Sequence, residues 1–181
     1  MILFVDACVR KESRTRRLAE ALLAKMDDEV CHVVLEDIEW SVTDEAYLSK
    51  RDELIAKGAF DDEMFALARQ FAEADRVVIA APYWDLSFPA VLKQYIEAIN
   101  VVGITFEYTS EGFPRGLCRA DKLYYVMTAG GNYVPEEFGY GYVKSLAENF
   151  YGIKEVSMIK ATGLDIYGAD AEEILKEVMP L

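Results

Sequence analysis

One stretch, Ala80 to Ile99 (AAPYWDLSFPAVLKQYIEAI), limits most sharply what this chain can become. An apolar run, Arg76-Val77-Val78-Ile79-Ala80-Ala81, reads as a buried strand and stops at Pro82. An aromatic turn follows, Tyr83-Trp84-Asp85-Leu86. Beyond it Phe88, Val91, Leu92, Tyr95, Ile96 and Ile99 recur at the spacing of one helix face. Ser87 is a candidate N-cap, and Pro89 suits a first helical turn. Strand, turn and helix make half of a βαβ unit. In open α/β sheets, ligands bind at the carboxyl ends of strands, where this turn sits. Two aromatic side chains there point to a flat ligand.

The rest of the chain repeats the alternation. Ile2 to Val5 reads as a short buried strand, and Thr15 to Met26 as a helix with Leu18, Ala19, Leu22, Leu23 and Met26 on one face. Val30 to Leu35 is a less uniformly apolar strand, expected at a sheet edge. The long charged segment from Glu36 to Ala59 has room for a short helix over Asp44 to Lys57. Asp61 to Ala74 has a clear helical period, with Met64, Leu67, Ala68 and Phe71 inward. Val102 to Ala120, rich in Gly, Thr and Pro, reads as loop. Leu123 to Thr128 is another buried strand, ending in Ala129-Gly130-Gly131-Asn132-Tyr133. Phe138 to Tyr151 is expected as a helix, Val156 to Ala161 as the other edge strand, and Ala169 to Met179 as a closing helix. Five strands interleaved with helices predict an α/β, flavodoxin-like three-layer sandwich. Its parallel sheet takes the order 2-1-3-4-5. No repeat or linker divides residues 1–181, which are expected to form a single domain.

Charge and cysteine content remove several classes of function. The 19 Lys and Arg stand against 32 Asp and Glu, a net −13. That argues against nucleic acid and against an anionic membrane, both of which demand a basic surface. The three cysteines, Cys8, Cys31 and Cys118, are odd in number and far apart, with no C-x-x-C, so no metal site is expected. Free thiols suit a reducing cytoplasm. The opening Met1-Ile2-Leu3-Phe4-Val5-Asp6 lacks a basic n-region, and no apolar run approaches membrane-spanning length, so no membrane insertion is expected.

In the predicted strand order the first, third and fourth strands are neighbours, and their carboxyl-end loops surround one crevice. The first loop, Asp6 to Thr15, ends at a helix start, where free N–H groups and a partial positive charge favour an anion. Ser13 and Thr15 add hydroxyls and Arg14 adds charge. Plain N-capping by Ser13 is the other reading of this loop. The second loop, Pro82-Tyr83-Trp84-Asp85-Leu86, offers backbone N–H groups and aromatic packing to a ring, or a subunit contact. The third, Thr128-Ala129-Gly130-Gly131-Asn132-Tyr133, has two glycines that permit close approach or positive φ, or simply make a turn. Their convergence fits a mononucleotide with a flat ring, most simply FMN. Two features outside these loops have plain readings. Arg16 and Arg17 are expected on the solvated face of the first helix. His32, the one histidine, is expected as a structural or surface residue away from the crevice.

With these motifs set out, the chain resembles the flavodoxin-like FMN-dependent NAD(P)H oxidoreductases of the NADH-azoreductase and quinone reductase type. The likeness is strongest at SRTRRLAEALL, APYWDLSFPAVLKQYIEAI, GITFEYTSEGFPRGL and TAGGNY. It implies that Ser13, Arg14 and Thr15 hold the FMN phosphate. It implies that Pro82, Tyr83, Trp84, Asp85 and Leu86 lie along the isoalloxazine. Thr128, Ala129, Gly130, Gly131 and Tyr133 then meet the ring's other edge. It further implies that Phe106 and Tyr108 shape the substrate pocket, and that two chains form a homodimer. NAD(P)H is the implied electron donor, and a quinone, azo or nitro compound the small-molecule acceptor. Three positions depart from the azoreductase pattern. Asp85 stands where Asn is usual, Ala7 where Ser is frequent, and Tyr133 where His is common. Tyr133 is the candidate catalytic side chain, as a proton or hydrogen-bond donor to the acceptor; packing on the ring or on the partner is its other reading. A flavodoxin-type electron carrier and a reductase of free FMN are the alternative functions.

Overall fold

The computed structural model describes residues 1–179. Five parallel strands form the central sheet: β1 (Ile2–Asp6), β2 (Val30–Val34), β3 (Arg76–Ala80), β6 (Lys122–Thr128) and β7 (Glu155–Ala161). Their order is β2-β1-β3-β6-β7, which is the expected 2-1-3-4-5. β1 and β3 are apolar almost throughout because both faces are covered, as parallel sheets require. β2 alternates in burial, since it is an edge.

Two core clusters flank the sheet. Leu3, Val5, Val77, Ile79, Leu123 and Tyr125 point to one face, against Phe71 of α3 (Ala66–Glu73) and Leu92, Tyr95 and Ile96 of α4 (Ala90–Ile99). Ile2, Phe4, Val78, Ala80 and Val126 point to the other. There they meet Leu18, Ala19 and Leu22 of α1 (Arg14–Leu23) and Leu175 of α6 (Ala171–Val178). The alternation along each strand therefore assigns successive side chains to opposite layers.

The short helix expected over Asp44 to Lys57 forms as α2 (Glu45–Lys57), with Asp44 as its cap and none of its side chains fully buried. The connections differ from the sequence reading in three places. The Asp61–Ala74 helix is split: a 3₁₀ turn over Glu63–Phe65 precedes α3. The expected loop from Val102 to Ala120 contains an antiparallel hairpin, β4 (Phe106–Tyr108) with β5 (Pro114–Gly116). The helix expected over Phe138–Tyr151 is α5 (Tyr140–Leu146), followed by a π-turn over Ala147–Tyr151. Among the described residues no helix is long and apolar enough to cross a membrane.

Candidate functional site

The strand ladders run past the strand ends and fix where each loop departs. Ala7 N–H donates to the Ala80 carbonyl at 2.9 Å, and Ala81 N–H to Val126 at 2.9 Å. Tyr83 N–H donates to the Thr128 carbonyl at 3.0 Å, and Ala129 N–H to Ala161 at 2.9 Å. Four loops consequently leave one sheet edge side by side. They enclose a crevice of about 340 Å³.

From the first loop, Val9, Arg10, Glu12, Ser13, Arg14 and Thr15 line it. Ser13 does cap α1: its Oγ accepts from Arg16 N–H at 3.2 Å. An accepting hydroxyl keeps its own proton to donate elsewhere, so capping and anion binding are compatible readings. The N–H groups of Arg14 and Thr15, in the first helical turn, have no preceding helical carbonyl to bond. Thr15 Oγ1 and Thr128 Oγ1, both buried, lie 2.6 Å apart and share one proton between them, which leaves the second free to donate.

The second loop contributes Pro82, Tyr83 and Trp84. Trp84 and Ser87 exchange backbone hydrogen bonds, 3.1 and 2.7 Å, around a two-residue turn. Both turn residues have positive φ, Asp85 at 50° and Leu86 at 67°. This is the mirror-image hairpin turn, usually built from Asn-Gly or Asp-Gly. It directs the Asp85 and Leu86 side chains to the exposed rim; neither lines the crevice. Ser87 is not the cap of α4. That position belongs to Pro89, and the Ser87 hydroxyl donates to the Phe138 carbonyl at 2.6 Å.

The third loop brings Thr128, Ala129 and Gly130. Gly131 and Tyr133 do not line the crevice, and Tyr133 is 81% exposed at the rim. The two glycines have ordinary φ. Gly130 instead gives space to a neighbour: a Cβ there would sit 2.4 Å from Asp165 Oδ2, and that side chain would have to shift. Asp165 and Leu164 belong to a fourth loop, after β7, that the sequence reading missed. Its signal was positional, since a loop at the carboxyl end of the strand beside β6 must face the same crevice. Arg14 Nη1 donates to Asp165 Oδ1 at 2.7 Å. Gly163, Leu164 and Asp165 N–H groups take the carbonyls of Gly131, Ala129 and Gly130 at 3.0, 3.2 and 3.0 Å.

Two expectations for charged residues separate here. Arg17 is on the surface, paired with Glu172 at 2.7 Å. Arg16 is not on a solvated face: it turns inward onto buried Asp6, with Nε 2.5 Å from Oδ2. Burial disfavours its charge, but the Asp6 carboxylate outweighs that and holds the guanidinium pKa above its ordinary value. His32 stacks on Phe4, centroids 4.4 Å apart, with Nε2 3.3 Å from Asp6 Oδ2, and does not line the crevice. Phe106 is 5% exposed, packed on Phe150 and Tyr108, whereas Tyr108 is 55% exposed; neither reaches the crevice.

A larger groove of about 670 Å³ lies among Trp40, Tyr47, Arg51 and Gln94. It shares no lining residue with the crevice, and its carboxylates, Glu39, Asp62, Glu63 and Glu97, outnumber its cations, Lys50 and Arg51. An anionic ligand therefore favours the crevice.

The chemistry of the crevice is a set of donors around an apolar wall. Hydroxyl protons, first-turn N–H groups and Arg14 line it together with the rings of Tyr83 and Trp84 and the carboxylates of Glu12 and Asp165. Comparison with known proteins follows the same line. The family model for a flavodoxin-like fold matches residues 1–179. An FMN-dependent NADH:quinone oxidoreductase of Clostridium perfringens is 34% identical, over 97% of this chain and 92% of its own. A second of that name, from Clostridium acetobutylicum, is 37% identical over 98% and 94%. The crystal structure of an azoreductase from Bacillus anthracis aligns with a TM-score of 0.83 at 30% identity, covering 98% of this chain and 94% of that one.

Proposed function

For a chain that belongs to the flavodoxin-like family of the FMN-dependent NADH:quinone oxidoreductases, we propose an FMN-dependent NAD(P)H oxidoreductase that passes two electrons to a quinone, azo or nitro acceptor. One observation carries this reading: phosphate-type donors and a flat aromatic wall line a single crevice at the strand carboxyl ends. When bound, FMN supplies the acceptance and release of hydride, chemistry that no side chain here provides.

The chain's own groups supply binding and orientation. Ser13 Oγ–H, the free proton of the Thr15–Thr128 pair, the N–H groups of Arg14 and Thr15, and the Arg14 guanidinium would hold the phosphate, aided by the α1 dipole. Pro82, Tyr83 and Trp84 would pack against the ring. Asp85 and Leu86 would offer backbone N–H groups from the rim. The fourth loop turns the carbonyls of Ala129, Gly130 and Gly131 onto its own N–H groups, and the N–H groups of the two glycines would serve ring carbonyls. Tyr133, exposed at the rim, would donate to the acceptor. Tyr108 would stand at the substrate side, braced edge-on by buried Phe106 at 5.5 Å.

With the phosphate-type donors and the aromatic wall in one crevice, donor and acceptor would take turns over the same ring, a ping-pong order. Exposed apolar side chains stand on the loops that follow β3 and β6, with Leu86 at 43%, Phe138 at 59% and Tyr133 at 81%. Exposed apolar side chains of this kind favour a homodimer that covers them.

The experiment is an absorbance spectrum of the purified protein, followed by anaerobic NADH or NADPH. Flavin bands that bleach on either nucleotide, and return when a quinone is added, are the expected result. Bound flavin indifferent to both nucleotides would replace the reductase with an electron carrier. Failure to take up added FMN would remove the cofactor.

A further inference from the structure

We infer that Arg16 is the positioning residue of the first crevice loop, turning that loop's carbonyls inward so that its donors face an incoming phosphate. The inference rests on the FMN reading above and adds a residue that does not touch the ligand.

Arg16 is the third residue of α1, and its side chain folds back over the loop that precedes the helix. Nε donates to Asp6 Oδ2 at 2.5 Å. Nη2 donates to the Cys8 carbonyl at 2.7 Å, and Nη1 to the carbonyls of Arg10 and Lys11, each at 3.1 Å. One planar fork thereby gathers three carbonyls of a short loop, a geometry that five fixed donors allow. Asp6 is wholly buried, and its other oxygen accepts Cys8 N–H at 2.9 Å. The carboxylate thus anchors both the guanidinium and the first residue of the turn.

The consequence is electrostatic. A carbonyl oxygen that faces a phosphate dianion repels it, and three such oxygens lie between Cys8 and Ser13. Held on the guanidinium, they cannot turn toward the crevice. The fourth loop treats the third loop in the same way, taking its carbonyls with backbone N–H groups. The two arginines therefore divide the work. Arg14, paired with Asp165, lines the crevice within reach of an anion, while Arg16, paired with Asp6, does not line it and acts through the carbonyls it holds.

Lysine at this position keeps the charge but offers three donors from one point, so it cannot hold the same carbonyls. In FMN titrations of the apoprotein, Arg16→Lys should weaken binding about tenfold or more. Arg17→Gln removes a charge from the same helix on its surface side and should change binding by less than about twofold. Inorganic phosphate should raise the melting temperature of the wild type and of Arg17→Gln, but not of Arg16→Lys. The double variant Asp6→Asn, Arg16→Met leaves no buried unpaired charge, so it reports even where the single variant fails to fold. It too should bind FMN weakly. Wild-type affinity in Arg16→Lys or in the double variant overturns the inference, as does an equal loss in Arg17→Gln. A wild type that takes no FMN removes the flavin reading instead, and the phosphate shift then still decides the role of Arg16.

Discussion

At the residue scale, Leu86 is held against its own preference. A leucine at φ 67° costs on the order of 1–2 kcal/mol in a region that glycine enters freely. The strain persists because Trp84 and Ser87 close the turn with two hydrogen bonds, and because Tyr83 O–H donates to the Pro135 carbonyl at 3.2 Å. Leu86→Gly creates the Asp-Gly pair such a turn favours. Added freedom in the unfolded chain takes back about 0.5–1 kcal/mol. The net expectation is a gain of about 0.5 kcal/mol, read as a raised urea midpoint at constant slope. A lowered midpoint would show that the leucine side chain contributes more than its backbone costs. The turn's location was legible in Pro82-Tyr83-Trp84; its handedness was not, because Asp-Leu is a poor signature for it.

Among the elements, the β4–β5 hairpin escaped the sequence reading because its strands are three residues each and its turn region is rich in Gly, Thr and Pro. Its stability comes from the π-turn beneath it rather than from its own pattern. Phe106 packs edge-on to Phe150 at 4.9 Å, and Gly116 lies directly on the backbone of Tyr151 and Gly152. A Cβ at residue 116 would fall 2.1 Å from the Tyr151 carbonyl carbon, a collision with backbone that no rotamer relieves. Gly116→Ala should therefore cost about 2 kcal/mol or more and expose the hairpin to protease. A thermal midpoint within a degree of the wild type would contradict this packing. The Asp61–Ala74 segment teaches a related lesson. Its apolar period was legible, but Asp62 caps Met64 N–H at 3.0 Å and gives the start a tighter turn.

For the whole molecule, the core sets an alkaline limit. Burial pushes the Cys8 and Cys118 thiols up from 9.0 to about 12 and raises Tyr95, Tyr125 and Tyr151 above 10.0. Each group binds its proton more tightly folded than unfolded. Their contribution is complete below about pH 9 and is lost as pH rises from there toward about 12. Unfolding free energy from urea titrations should fall steadily above about pH 9, and iodoacetamide at about pH 8 should leave Cys8 and Cys118 unmodified until unfolding. Undiminished stability at about pH 11 would refute the burial account. The chain's local patterns determined the five strands of the parallel sheet, the edge position of β2, the Ser13 cap and three of the four crevice loops. These are legible because apolar periodicity and capping act over a few residues. Tertiary structure alone decided that Arg16 turns in while its neighbour Arg17 stays out. It also decided that Asp165 joins Arg14 and that Gly130 makes room for that carboxylate. Each depends on a partner brought near by the sheet order, and local spacing carries no record of which partner that is.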